Sequence, residues 1–165
     1  MVDSATQSGS PSRLETDELE GLYREHAPRM WRALTAYSGS REVAQDAVAE
    51  AFAQAMRRGD GIHSPQRWLW KSAYRIAAGE LHRRTSQVPL TFEPSMQPPD
   101  EPAWELRTAL CELPDQQRAA LVLHYYGGYP ARDIARITGS TPAGVWMSLS
   151  RGRRRLRRLL EATDD

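Results

Sequence analysis

The sequence predicts an all-α fold of two small helical domains joined by a flexible linker. Three observations carry this. Apolar residues recur at three- and four-residue spacing along most of the chain, and no segment alternates with the period of a strand. Residues 85–103 hold five prolines and no basic group. The 165 residues, 40% of them apolar and 26% charged, suffice for two bodies of about 60–80 residues with modest cores, and exclude a large multidomain enzyme.

The elements follow in order. Residues 1–13, rich in Ser, Gly and Thr, bury almost nothing and are expected to be a disordered tail. The first domain is expected over 14–84. Asp17, with Glu20 as capping-box partner, opens a helix whose apolar positions are Leu19, Leu22, Tyr23, Ala27, Met30, Trp31, Leu34 and Tyr37, with Pro28 as a point of kinking. Ser38-Gly39-Ser40 breaks it. Val43, Ala44, Ala47, Val48, Ala51, Phe52, Ala55 and Met56 form the stripe of a second helix, completing a hairpin. After the loop Gly59-Asp60-Gly61, Ser64-Pro65 supplies an N-cap and a first-turn proline for a third helix to about Arg84. The proline-rich segment 85–103 reads as an extended linker.

The second domain is expected over 104–161, with 162–165 a tail. Trp104, Leu106, Ala109, Leu110 and Leu113 mark a helix ended by Pro114, which opens another helix through Leu121, Val122 and Leu123 to Tyr126. Ala135, Gly139 and Val145, flanked by Ile134, Ile137 and Leu149, give helix-turn-helix spacing: a small residue for close approach, a glycine for the turn, and apolar groups inside the corner. Thr141-Pro142 caps the second of these helices.

Charge is uneven. Residues 1–84 carry 12 basic and 11 acidic groups, 85–103 none and 3, and 104–165 10 and 7. Residues 141–160 hold six arginines (Arg151, Arg153, Arg154, Arg155, Arg157, Arg158) and no acid. A basic helix of this kind can lie along phosphates, or merely close its domain through Leu156, Leu159 and Leu160. On the third helix Leu69, Ala73, Ile76, Ala77 and Leu81 form an inward stripe; Arg67, Trp70, Lys71, Tyr74 and Arg75 share the other side. Rings interleaved with cations suit unpaired DNA, but the same rings can pack on the neighbouring domain or linker. Asp46 and Glu50, with Glu42 one turn earlier, make an acidic ridge better suited to protein docking than to acid–base chemistry, because no His or nucleophile lies near. The single cysteine, Cys111, cannot form an internal disulfide and is expected to be packed rather than paired with His124 as a nucleophile; four scattered histidines offer no zinc spacing. No stretch is long and apolar enough for a membrane span and no signal peptide is evident, so a cytoplasmic protein without membrane contact is expected.

With these elements in place, the chain resembles the small two-domain sigma factors of bacterial RNA polymerase, the extracytoplasmic-function (ECF) group. LYREHAPRMWR at 22–32, DAVAEAF at 46–52, WLWKSAYRIA at 68–77 and LHRR at 81–84 resemble region 2; ELPDQQRAALVLHYYGGYPARDIARITGSTPAGVWMSLSRGRRRL at 112–156 resembles region 4. The resemblance implies a protein without active site or cofactor that directs core polymerase to promoters in transcription initiation. It implies that Asp46 and Glu50 dock on the polymerase clamp helices, with the flap as a further contact. The loop Gly59, Asp60, Gly61, Ile62 and His63 would capture a flipped base of the minus-10 element, and Arg67, Trp70, Lys71, Tyr74 and Arg75 would meet the melted strand. Thr141, Ala143, Gly144, Met147, Ser148, Arg151, Arg154 and Arg155 would contact the minus-35 duplex. The linker would thread toward the RNA exit channel. An anti-sigma factor covering the polymerase-facing surfaces is the restraint the resemblance suggests.

The chain departs from the family pattern in two helices. Where relatives usually carry Asn and Asp in the third helix it has Arg75 and Gly79, and where the recognition helix usually reads Gly-Thr-Val-Lys-Ser-Arg it reads Ala143-Gly144-Val145-Trp146-Met147-Ser148. Two cations are thereby missing, a loss that only Arg151 and the following arginines can compensate. The rival readings are an ordinary dimeric helix-turn-helix regulator that binds duplex DNA without polymerase, and a small helical enzyme using Asp46 and Glu50.

Overall fold

The computed structural model describes residues 15–59, 61–87 and 103–163. The expected tail 1–13, most of the linker and Asp60 of the base-capturing loop lie outside the described residues. Seven helices and no strand occur among those described: α1 Thr16–Ser38, α2 Arg41–Arg58, α3 Pro65–Gln87, α4 Ala103–Cys111, α5 Asp115–Tyr125, α6 Ala131–Thr138 and α7 Pro142–Thr163. The fold class is all-α, as the periodicity predicts.

The first three helices pack on one another. Met30, Ala33, Leu34 and Tyr37 of α1 are buried, as are all the expected positions of the alanine-rich stripe of α2 except Met56, which is exposed. Small side chains on α2 allow its neighbours to approach closely on both sides. Ser40 caps α2 by accepting from the Val43 amide at 3.3 Å. At the start of α1 the capping box does not form: Glu15 occupies the N-cap without a side-chain bond, and Asp17 and Glu18 sit in the first turn, where carboxylates meet the positive end of the helix. The helix continues through Pro28.

α3 runs three residues beyond Arg84 into the proline-rich segment. Thr85 and Ser86 hydroxyls donate back to the Leu81 and His82 carbonyls, and Glu80 holds both Arg83 and Arg84. These bonds sustain a helix end that composition alone reads as linker. At the other terminus α7 reaches Thr163, whose hydroxyl donates to the Leu159 carbonyl.

α5, α6 and α7 pack together, with α4 against α7. Gly139, at φ 71°, ends α6 in the left-handed conformation, and its amide and that of Ser140 donate to the Ala135 carbonyl. Thr141 then caps α7 by accepting from the Gly144 amide at 3.1 Å. Ile134, Ala135, Val145 and Leu149 fill the corner and are all buried. The helix-turn-helix geometry read from spacing is therefore present. α1 also touches α4 and α5, so the two sets of helices form one continuous packed body.

Candidate nucleic-acid interface

Two helices carry the residues that chemistry assigns to nucleic acid. On α7 Val145, Leu149 and Gly152 face inward, and the remainder of the helix is set by that seam. At 100° per residue, Ala143, Met147, Ser150 and Arg154 lie opposite it. Thr141, Ala143, Met147, Arg151, Arg154 and Arg155 are exposed, with Gly144 and Ser148 half-buried beside them. All six arginines from Arg151 to Arg158 are exposed. Gly144, Met147, Ser148 and Arg151 form one wall of a shallow depression of about 370 Å³, whose other wall is Pro114 to Gln117 at the start of α5. The sequence-assigned duplex face is thus a single, open surface.

α3 differs. Trp70 is 2% exposed and Tyr74 5%, so neither ring offers a stacking face in this arrangement. Arg67 and Arg75 are exposed and Lys71 is half-buried. The open platform implied by alternating rings and cations is not what the structure contains: the buried stripe is wider than Leu69, Ala73, Ala77 and Leu81, and it takes in both rings. Trp68 is half-buried beside it.

Tyr74 packs on α1, and α1 is tied in turn to the second helical set. The Tyr74 ring meets Tyr37 edge to face, with centroids 5.1 Å apart. The Tyr37 hydroxyl donates to Asp115 Oδ1 at 2.7 Å, and Arg118 Nη1 donates to the Tyr37 carbonyl at 2.8 Å while its guanidinium carbon lies 5.5 Å from the ring centroid. A second tie joins the Tyr129 hydroxyl to the Arg67 carbonyl at 3.0 Å, with Arg67 4.0 Å from Asp133. Burial pushes the Tyr74 phenol up to about 12. Burial raises Tyr37 further, reinforced by Tyr74 and Asp115, and it also raises Tyr129. Arg118 is 7% exposed. Arg118 Nε and Asp133 Oδ2 have no hydrogen-bond partner among the described residues.

Sequence reasoning missed Asp115, Arg118 and Tyr129. A usable signal existed for one of them: Arg118 interrupts the apolar run of α5 at a position whose neighbours Ala119 to Leu123 are all buried. A cation there needs a partner.

The loop after α2 is built on Gly59 at φ 64° and Gly61 at φ 83°; His63 is exposed and Ile62 leans on the core. On the acidic ridge Asp46 is exposed, whereas Glu50 accepts from Arg57 at 2.7 Å and Gln54 at 3.0 Å. These bonds, Gln54 first, hold the Glu50 carboxyl below the usual carboxylate range. Glu42 lies 3.8 Å from Arg84. Cys111 is half-buried with Sγ 3.9 Å from the Ala36 carbonyl, and burial raises its thiol, which disfavours a thiolate. His124 Nδ1 lies 3.1 Å from the Tyr129 carbonyl. Among the described residues no group of His, Cys, Asp and Glu is placed to hold a metal, and no helix is long and apolar enough to cross a membrane.

Comparison with known proteins agrees with this arrangement. Residues 103–156 match the family described as Sigma-70, region 4. The chain is 29% identical over 147 residues to the ECF RNA polymerase sigma factor SigM of Mycobacterium tuberculosis, covering 84% of this chain and 75% of SigM. It is 28% identical over 157 residues to SigL of the same organism, covering 87% and 89%. The solved structure of the sigma factor RpoE in complex with the anti-sigma factor NepR from Bartonella quintana superposes with a TM-score of 0.75 at 20% identity, over 88% of this chain and 98% of RpoE. These relatives are sigma factors, which are not enzymes, and they do not favour the ordinary dimeric regulator.

Proposed function

We propose that the chain is an ECF sigma factor acting in transcription initiation, as its similarity to such proteins supports, and that its residues divide the work as follows. Helices α1–α3 and α4–α7 act as two domains tethered by residues 88–102. In the cytoplasm, without any catalytic step, they dock on core RNA polymerase and read the two parts of a promoter. Asp46 and Glu50 on α2 meet the clamp helices, and the second domain meets the flap. The exposed face of α7, Thr141, Ala143, Gly144, Met147, Ser148, Arg151, Arg154 and Arg155, lies in the major groove of the minus-35 element. The loop residues Gly59 to His63, with Arg67, Trp70, Lys71, Tyr74 and Arg75, hold the melted minus-10 strand.

The observation that carries this reading is the acid-free arginine surface of α7, set on a helix-turn-helix corner with its outward face uncovered. Trp70 and Tyr74 are buried and Tyr74 packs on Tyr37 of α1, so the melted strand reaches these rings only on a separation of the packed helices. Binding to polymerase supplies that separation, and a protein that stabilises the packed arrangement acts as an anti-sigma factor. The RpoE relative is itself bound by one.

The test mixes the purified chain with core polymerase and genomic DNA and maps transcript starts. New starts sharing a two-part upstream pattern are expected; an active core that gains none overturns the reading. The double charge reversal Asp46→Arg/Glu50→Arg is expected to weaken polymerase binding by tenfold or more while duplex binding by the free chain is retained.

A further inference from the structure

We propose that Met147, with Trp146 beside it, reads thymine methyl groups, so that the upstream element of this chain's promoters is selected for thymine at the positions these side chains meet. The proposal rests on the reading of α7 as the helix that enters the major groove.

Met147 is 50% exposed and Trp146 57%. Met147 stands opposite the buried seam of Val145, Leu149 and Gly152, and Trp146 lies on the flank, seven residues before Arg153. Arg153 is drawn to the body of the domain, donating to the Tyr125 hydroxyl at 3.1 Å. Two large apolar groups on an exposed face contribute nothing to the core of the free chain. The occupant of this face is fixed by charge: from Arg151 to Arg158 the same helix presents six exposed arginines, with no acid between residues 141 and 160, so it fits a polyanion with a groove wide enough for a helix.

What the helix can read in that groove follows from what it lacks. Between residues 141 and 150 there is no Arg, Lys, Asn, Gln, Asp or Glu. Bidentate recognition of guanine or adenine requires one of the first four, and cytosine is read through a carboxylate. In the first two turns only the Thr141, Ser148 and Ser150 hydroxyls and the Trp146 indole N–H are polar. The one apolar feature a base edge displays in the major groove is the thymine C5 methyl. Guanine contacts begin at Arg151, one turn beyond Met147.

The experiment uses the chain bound to core polymerase on a promoter mapped by its transcript start. Each upstream thymine is replaced in turn by deoxyuridine, which removes the methyl and keeps the base pair. With the unaltered chain, initiation is expected to fall about three- to fourfold at one or two positions, the effect on the order of one buried methyl-sized group. With Met147→Ala or Trp146→Ala, the same replacements are expected to have no effect, while circular dichroism stays unchanged because both side chains are exposed, and the salt slope of duplex binding stays unchanged because neither is charged. Indifference of the unaltered chain to every replacement overturns the proposal and leaves the sigma-factor reading intact; equal sensitivity of the alanine variants does the same. Absence of any promoter-directed start overturns both.

Discussion

The two faces assigned to nucleic acid stand in opposite states. The face of α7 is open, with its apolar tip and arginines in solvent, whereas both rings of α3 are buried, Tyr74 of them against Tyr37, which Asp115 and Arg118 of the other helical set hold in place. On the proposed assignment, the difference teaches that one packed body can present its surface for duplex and withhold its surface for the single strand. Stacking on Trp70 and Tyr74 is accessible only at the cost of the contacts that cover them. A sigma factor that exposed both would bind unpaired nucleic acid away from its polymerase.

The largest effect expected from breaking this contrast comes from Arg118. Its guanidinium is buried and donates to the Tyr37 carbonyl, and hydrogen bonds to charged groups contribute about 1.5–3 kcal/mol. Arg118→Met keeps the aliphatic stem and removes the donor. The affinity of the free chain for a single-stranded minus-10 oligonucleotide should rise ten- to a hundredfold, read by anisotropy, with duplex binding through α7 unaltered. An unchanged single-strand affinity would show that the packing of the two helical sets does not control α3.

Next comes Gly127, between α5 and Tyr129. A Cβ here would lie 2.7 Å from the Leu123 carbonyl oxygen and 2.8 Å from the Tyr129 ring. The carbonyl belongs to helix backbone and cannot yield, so the ring must move. Gly127→Ala should cost about 1–3 kcal/mol in thermal unfolding and release the Tyr129 hydroxyl from the Arg67 carbonyl, raising single-strand affinity by less than the Arg118 change. Gly128→Ala, where a Cβ meets nothing but φ is 69°, separates backbone strain from displacement of the ring.

A smaller change sharpens the open side. Arg154 stands on the outward line of α7 and is exposed. Arg154→Gln should lower the slope of log affinity against log salt by about 0.9, leaving sequence preference as it was. A slope that does not move would place Arg154 off the phosphate path.

How much of this contrast could be read from sequence follows from range. The helices, the αL glycine at 139, the Thr141 cap and the stripe of α2 depend on residues three or four apart, and these were legible. The end of α3 was not, because Thr85 and Ser86 bond to their own helix where composition suggests linker. The open face of α7 was legible because an acid-free arginine run needs no partner within the chain to be recognised. The closed face of α3 was not. Tyr37 and Asp115 are 78 residues apart, and Tyr129 and Arg67 are 62, separations at which periodicity is silent. Alternating rings and cations fit either a DNA platform or a packed interface, and only the burial of both rings in the folded chain decides between them for the free chain.

The smallest effect near neutral pH concerns Tyr74, and it also reports on closure. Its phenol is pushed up to about 12, chiefly by burial, from the ordinary tyrosine value of 10.0. A folded-state pKa above the unfolded one means that between these values the packed chain keeps a proton the unfolded chain has lost. The stabilisation is therefore complete below about pH 10 and declines as pH rises toward 12. Tyr37, raised further by burial and by Tyr74 itself, extends the decline to higher pH. Tyr74→Phe retains the edge-to-face ring contact and removes the ionisation. Its melting temperature should match the unaltered chain at pH 8, within about 0.5 kcal/mol in stability, and exceed it above pH 10. Tyrosinate absorbance near 295 nm should show one fewer late-titrating phenol. If the two proteins lose stability in parallel through pH 12, Tyr74 is solvated in the free chain, and the closed face of α3 is open after all.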